Sequence, residues 1–162
     1  MITQIKNKLY DLAVAEKTEL GLLRGFKTIL KGDWAQIPQV QQPSMSIDFA
    51  DNIQFEGVHR NPERYIFDFY LSCRCSNPMS PEQASEQVEK LVWDSNSSED
   101  WGALRFALEN PSFDIQPSGH RVRMSLSPGN SVDIIMEKDK GNFYTASAIL
   151  HLIVELERGR TI

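Results

Sequence analysis

The chain has 162 residues, of which 41% are apolar and 24% are charged, a composition typical of one soluble domain over residues 1–162. Its net charge of −5 argues against a large phosphate-binding surface of the kind that nucleic-acid-binding proteins present. No apolar run approaches the roughly 18 residues of a membrane-spanning helix, and the N-terminus lacks the order of a signal peptide. We therefore expect a protein made in the cytoplasm, without a membrane partner.

The first predicted element is an amphipathic helix over residues 2–16. Its apolar residues recur at helical spacing: Ile2, Ile5, Leu9, Leu12 and Ala13. Residues 25–34 fit either a short strand or a last helical turn. Residues 33–64 are expected to be rich in loops, with one short strand at "SMSIDFAD", residues 44–51. Four turn-favouring residues interrupt that region: Pro38, Pro43, Gly57 and Pro62.

The segment "YIFDFYLSCRC", residues 65–75, alternates and predicts a strand with one apolar face and one mixed face. The apolar face carries Tyr65, Phe67, Phe69, Leu71, Cys73 and Cys75. The mixed face carries Ile66, Asp68, Tyr70, Ser72 and Arg74. Cys73 and Cys75 point to the same side in a geometry that does not favour a disulfide, so we expect buried, reduced thiols.

A helical lobe is predicted over residues 80–110. Ser80 is suited to cap the first helix, with Pro81 at its first position and Gln83 closing a capping box. The buried stripe of this helix is expected to be Ala84, Val88, Leu91 and Val92. A second short helix should follow, capped by Ser98 and ended by Pro111. Its inward residues are expected to be Trp101, Leu104 and Leu108.

Three strands are predicted at residues 120–127, 132–138 and 143–159, arranged as a meander. Even positions of the last strand are apolar throughout, whereas odd positions are apolar mainly between Ile149 and Ile153. The predicted fold is α+β, an antiparallel β-sheet with an N-terminal helix and a central helix pair packed on one face.

Motifs of catalysis and cofactor binding are missing from the sequence. It contains no phosphate-binding loop, dinucleotide-binding glycine pattern, nucleophile elbow or zinc-protease motif. The pair Cys73 and Cys75 has C-x-C spacing, which fits a zinc site poorly even with His59, His120 or His151 nearby. We therefore predict a protein that is not an enzyme, with no catalytic, cofactor-binding or metal residues.

Seven residues are candidates for contact with another subunit or partner: Trp34, Tyr70, Arg74, His151, Glu155, Glu157 and Arg158. Trp34 lies in a polar loop and has the residue type that dominates interface hot spots. His151 is expected to be half-buried or at an interface, where its charge would respond to pH. The charged end around Glu155 and Glu157 fits two interpretations, a solvated strand end that protects an edge or a salt-bridge cluster between subunits.

The order of elements resembles a known family. An amphipathic helix is followed by the aromatic strand "RYIFDFYLSC", the capped helix "SPEQASEQVEKLV" and a final strand "FYTASAILHLIVEL". This order resembles the tail terminator, or tail completion, proteins of long-tailed bacteriophages over residues 1–20 and 43–157.

That resemblance implies a structural virion protein of the tail or neck, assembled in the host cytoplasm. Its subunits would form a ring, usually a hexamer, that caps the tail tube and ends its elongation. The implied partners are the tail tube protein, the head–tail connector or neck protein, and the sheath if the tail is contractile. DNA would pass through the channel without specific binding, and no cofactor is implied. The alternatives are another neck or head–tail joining protein, or a small-molecule-binding or enzymatic α+β domain.

Overall fold

The computed structural model describes residues 2–18, 21–32, 42–58, 61–77, 80–92, 102–115, 120–127, 132–138 and 144–157. Its helices are α1 (Ile2–Ala15), α2 (Pro81–Val92) and α3 (Ala103–Glu109). Its strands are β1 (Thr28–Lys31), β2 (Ser44–Val58), β3 (Asn61–Asn77), β4 (Ser112–Ile115), β5 (His120–Leu126), β6 (Val132–Lys138) and β7 (Tyr144–Glu157). The predicted α+β class is confirmed, with a curled and mostly antiparallel sheet.

The centre of the sheet is the antiparallel pair of β3 and β7, which runs in unbroken register from Arg64 opposite Glu157 to Asn77 opposite Tyr144. Strand β2 lies on the other side of β3, and β1 pairs with β2 in parallel. Helix α1 packs against β1 and β2, α2 against β3 and β7, and α3 against β5. The long central pair is therefore the frame on which the helices and the shorter strands are placed.

The predicted meander of the last three strands is wrong. Strands β5 and β6 each pair with β7, on the edge that β3 leaves open, and they lie end to end. Strand β6 pairs with residues 144–150 and β5 with residues 152–157. Each of these strands has seven residues and covers about half of β7, whose 14 residues leave room for both. Strand β4, which the sequence did not predict, extends the sheet beyond β5.

The prediction of a loop-rich region at residues 33–64 is wrong for most of the residues that the structure describes there. Strand β2 continues to Val58, and β3 already begins at Asn61. The register shifts between Phe49 and Ile53, where β2 has two more residues than its partner, and this irregularity hides the alternation in the sequence. For residues 25–34 the sequence allowed either a short strand or a last helical turn, and the structure has the strand β1 there. Residues 33–41 and 59–60 lie outside the described part.

The first two helices follow their predicted patterns. Helix α1 buries Ile5, Leu9 and Ala13, and α2 buries Ala84, Val88 and Val92. At the start of α2 the backbone N–H of Gln83 donates to Ser80 Oγ at 3.4 Å, in agreement with the predicted cap.

Helix α3 faces differently from the prediction. It begins after Gly102, which has φ of 134° and makes no side-chain cap, and it buries Ala103, Phe106 and Ala107. Leu108, predicted to point inward, is 58% exposed because the helix packs through the stripe of Ala103, Phe106 and Ala107, which lies on another face. The predicted cap Ser98 and the predicted core residue Trp101 lie outside the described residues.

The apolar face predicted for the last strand is confirmed. All even positions of β7 from Ala146 to Leu156 are at most 1% exposed, and they share a core with Phe67, Phe69 and Leu71 of β3. Cys73 and Cys75 belong to the same face and are buried and free, also as predicted.

Burial gives these thiols a testable property. It raises the pKa of Cys75 from 9.0 to about 12 and that of Cys73 still further, because a thiolate would lose its hydration. At pH 8 the native protein should not react with a thiol reagent such as Ellman's reagent, whereas the denatured chain should release two equivalents of thiol. The stabilisation from these protonated thiols should be complete below pH 9 and decline as the pH rises towards about 12. Rapid labelling of the native protein at pH 8 would contradict the burial of both cysteines.

Candidate interaction surface

The mixed sides of β3 and β7 form the face of the sheet opposite the core, called here the outer face. Its members alternate with the buried core residues along both strands. On β3 they are Arg64, Ile66, Asp68, Tyr70, Ser72, Arg74 and Ser76, and on β7 they are Thr145, Ser147, Ile149, His151, Ile153 and Glu155. The two ends of this face differ. Its members from Arg64 to Tyr70 and from Ile149 to Glu155 are half-buried, whereas Ser72, Arg74, Thr145 and Ser147 are buried.

The half-buried end combines apolar and polar side chains in direct cross-strand pairs. Tyr70 lies opposite His151, Asp68 opposite Ile153, and Ile66 opposite Glu155. Such pairs have Cβ atoms about 5 Å apart, so the isoleucines and the polar groups form one continuous patch. Apolar area interleaved with hydrogen-bonding groups is typical of surfaces that bind other proteins.

His151 has a carboxylate partner that sequence reasoning missed. Its Nε2 lies 2.8 Å from Asp133 Oδ2, and both side chains are partly exposed. Asp133 reaches this position because β6 places it opposite Ile149, two residues before His151 on the same face. Alternation could predict the face of Asp133 within β6, but only the pairing of β6 with β7 brings it to His151. The contact is an ion pair when His151 is protonated.

Tyr70 belongs to a second polar contact that begins at α1. Lys6 Nζ lies 3.1 Å from Asp48 Oδ1, and the Tyr70 hydroxyl lies 3.3 Å from Asp48 Oδ2. Asp48 is opposite Tyr70 in the sheet, and Tyr70 is opposite His151. Polar groups from three neighbouring strands therefore form one row across the sheet.

The acidic end of β7 is flanked by arginines of the same chain. Arg64 Nη1 lies 3.8 Å from Glu155 Oε2, and strand β5 places Arg123 opposite Glu155 and Arg121 opposite Glu157. Partly exposed pairs of this kind contribute about 0–1 kcal/mol each. The sequence suggested either a solvated strand end or a salt-bridge cluster between subunits. The structure instead places arginines of the same chain, on both strands that neighbour β7, beside its acids.

The other end of the outer face is polar but buried. Arg74, a predicted contact residue, is only 8% exposed, and Thr145 and Ser147 are buried next to it. The Ser76 hydroxyl bonds Gln42 Oε1 and lies 2.9 Å from Thr145 Oγ1. Three further buried hydroxyls have no hydrogen-bond partner among the described residues: Ser44, Ser46 and Ser72.

The structure therefore brings together four of the seven predicted contact residues on one face: Tyr70, Arg74, His151 and Glu155. Glu157 continues this row at the end of β7, but its side chain lies outside the described part, as do Trp34 and Arg158 entirely.

Within the described residues, no group of three His, Cys, Asp or Glu side chains could hold a metal ion. None of the described helices is both long and apolar enough to cross a membrane. The sequence matches no protein-family model and no curated protein.

Proposed function

We propose that this protein is a structural, non-catalytic subunit of a ring that caps the tail tube of a long-tailed bacteriophage. The ring ends tail elongation and joins the tail to the head connector. The proposal rests on the resemblance of the element order to tail terminator proteins, together with the chemistry of the outer face.

The observation that carries the proposal is the half-buried end of the outer face. It holds Ile66, Ile149 and Ile153 around the directly opposed pair of Tyr70 and His151, on strands β3 and β7, which pair in unbroken register. Covering this patch removes apolar area from water, at roughly 25 cal/mol per Å². The row of polar groups beside it supplies the directional contacts that fix the orientation of a partner.

The two lateral ends of the sheet are compatible with a ring. Among the described strands, one lateral end of the sheet is formed by β1, and the other by β4 and β6. A ring needs two different contact surfaces on each subunit, and it closes when the rotation between subunits divides a full turn.

The proposed partners are the tail tube protein, the head–tail connector or neck protein, and the sheath in a contractile tail. DNA passes through the ring without specific binding. A net charge of −5 is compatible with this role, because a conduit with little attraction for phosphates does not retain DNA.

Native mass spectrometry of the protein, alone and mixed with tail tubes, tests the proposal. We expect a discrete oligomer near six subunits, either in free solution or on the tubes. A discrete ring that binds a connector and ignores tail tubes would point instead to a neck or head–tail joining protein. A strict monomer at high concentration that also fails to bind tubes would refute the proposal.

A further inference from the structure

Strand β6 exposes three consecutive large apolar residues. Ile134, Ile135 and Met136 are 42%, 39% and 39% exposed. Successive residues of a strand point to opposite faces, so both faces of β6 are partly exposed at this point. Among the described residues with large exposed apolar side chains, no other three are consecutive.

Strand β6 is also an edge. Of the described strands only β7 pairs with it, which leaves the other row of its backbone groups without a strand partner. Natural proteins protect such edges with charges, proline or bulges, since an exposed apolar edge pairs readily with another strand. Charges stand at both ends of β6, but its three central residues carry none of these protections, and this makes the centre of the strand a candidate for pairing with another strand in the assembled protein.

The register shows what lies at the opposite edge of the sheet. One transverse row crosses five strands through directly paired residues: Ile134, Ala148, Cys73, Met45 and Ile29. Strands β6 and β1 are therefore at the same height, at the two lateral ends of one sheet.

The strand directions are also suitable. Strand β6 is antiparallel to β7, and β7 runs in the same direction as β2 and β1. Rotation about an axis parallel to the strands leaves their directions unchanged. The β1 strand of a neighbouring copy would then lie beside β6 at the same height and antiparallel to it.

We propose that β6 of one copy pairs with β1 of the next, so that neighbouring sheets join edge to edge around the ring. This inference rests on the proposed ring function and specifies its contact. The pairing is heterologous, so it can close a ring of identical subunits.

The register also fixes which side chains would meet. At equal height, Ile134 is opposite Ile29 of the next copy, Ile135 is opposite Thr28, and Asp133 is opposite Leu30. The apolar centre of β6 thus faces Ile29 and the methyl-bearing side chain of Thr28, and no two like charges are directly opposite each other.

Pairing of β6 with itself is unfavourable in the register that brings its apolar centre together symmetrically about Ile135. A two-fold antiparallel pairing centred on Ile135 would set Asp133 opposite Glu137 of the other copy. Like charges directly opposite each other destabilise a strand pair.

Co-expression of two variants that each gain one cysteine, Thr28→Cys and Ile135→Cys, tests the inference. A short bis-maleimide should give a covalent dimer when both chains are present, and none with either variant alone. The native thiols do not interfere, because Cys73 and Cys75 are buried. A matched control combines Thr28→Cys with Ser125→Cys. Ser125 is exposed, but its register position on β7 lies six residues, or about 20 Å, from that of Ile135.

Each outcome is decisive. A dimer from Ile135→Cys alone would show self-pairing of β6 and overturn the inference. A ring in native mass spectrometry without the mixed crosslink would also overturn it and leave the proposed function intact. The variant Ile135→Lys provides an independent readout, with an expected loss of at least about tenfold in the assembled fraction and an unchanged unfolding midpoint. Full assembly of Ile135→Lys would contradict the pairing.

Discussion

Replacement of Ile153 by aspartate is expected to lower the assembled fraction at least about tenfold while the chain remains folded. Ile153 is half-buried on the outer face, opposite Asp68 on β3 and Ser125 on β5. A carboxylate buried at a contact without a partner costs several kcal/mol, and about 1.4 kcal/mol already corresponds to a factor of ten. In the single chain the same carboxylate can remain hydrated, but it lies opposite Asp68, so the denaturation midpoint should fall modestly while circular dichroism still shows a folded chain.

The matched control is Leu108→Asp, which introduces the same charge in place of an exposed apolar residue on α3. Mass photometry of both variants over a range of concentrations compares their assembled fractions. Leu108→Asp should assemble like the wild type. Equal assembly of all three proteins would show that the outer face around Ile153 remains in water.

The neighbouring residue should behave in the opposite way. Leu152→Ala is expected to lower the free energy of unfolding by about 2–5 kcal/mol, because it leaves a cavity in the core. Leu152 is 1% exposed and lies opposite Phe69 and Leu126 on the two neighbouring strands. Equilibrium denaturation in guanidinium chloride measures the change.

Ile153→Ala serves as the comparison, since it alters the adjacent position on the other face. The decrease in the free energy of unfolding should be clearly smaller for Ile153→Ala than for Leu152→Ala. In the single chain the half-buried Ile153 side chain removes less apolar area from water than a buried one. Equal losses for the two variants would mean that the two faces of β7 are buried alike in the single chain. That result would contradict the division into a core face and an outer face.

Periodicity predicted the parts of the fold that depend on one segment at a time. The strict alternation of β3 and β7 gave both faces correctly, and the pattern around Ser80 gave the start of α2. These features are local, since the side-chain period of a strand or helix is fixed by its backbone.

The pairing of distant segments could not be predicted in the same way. Alternation in β5 and β6 does not specify that they share one edge of β7 instead of pairing with each other. The irregularity between Phe49 and Ile53 breaks the alternation of β2, so a 15-residue strand was interpreted as mostly loop. The exposure of Leu108 depends on which face of α3 packs against β5, and the short helix gives no clear sequence signal for that choice.

The candidate surface was predictable in composition but not in contacts. Alternation placed Tyr70 and Arg74 on one strand face and His151 and Glu155 on another, and the register joins these faces. His151 contacts Asp133 on β6, and Glu155 contacts Arg64 on β3. The sequence does not show the register of these strands against β7, so neither contact could be predicted. The burial of Arg74 depends on the whole fold and has no local signal.

The most direct test of the central claim is the native mass of the wild-type chain in the presence of tail tubes. The proposed function predicts a closed oligomer near six subunits at the tube ends, and tubes that no longer elongate. A chain that stays monomeric at high concentration, leaves tube ends unoccupied and does not stop tube growth would contradict the claim.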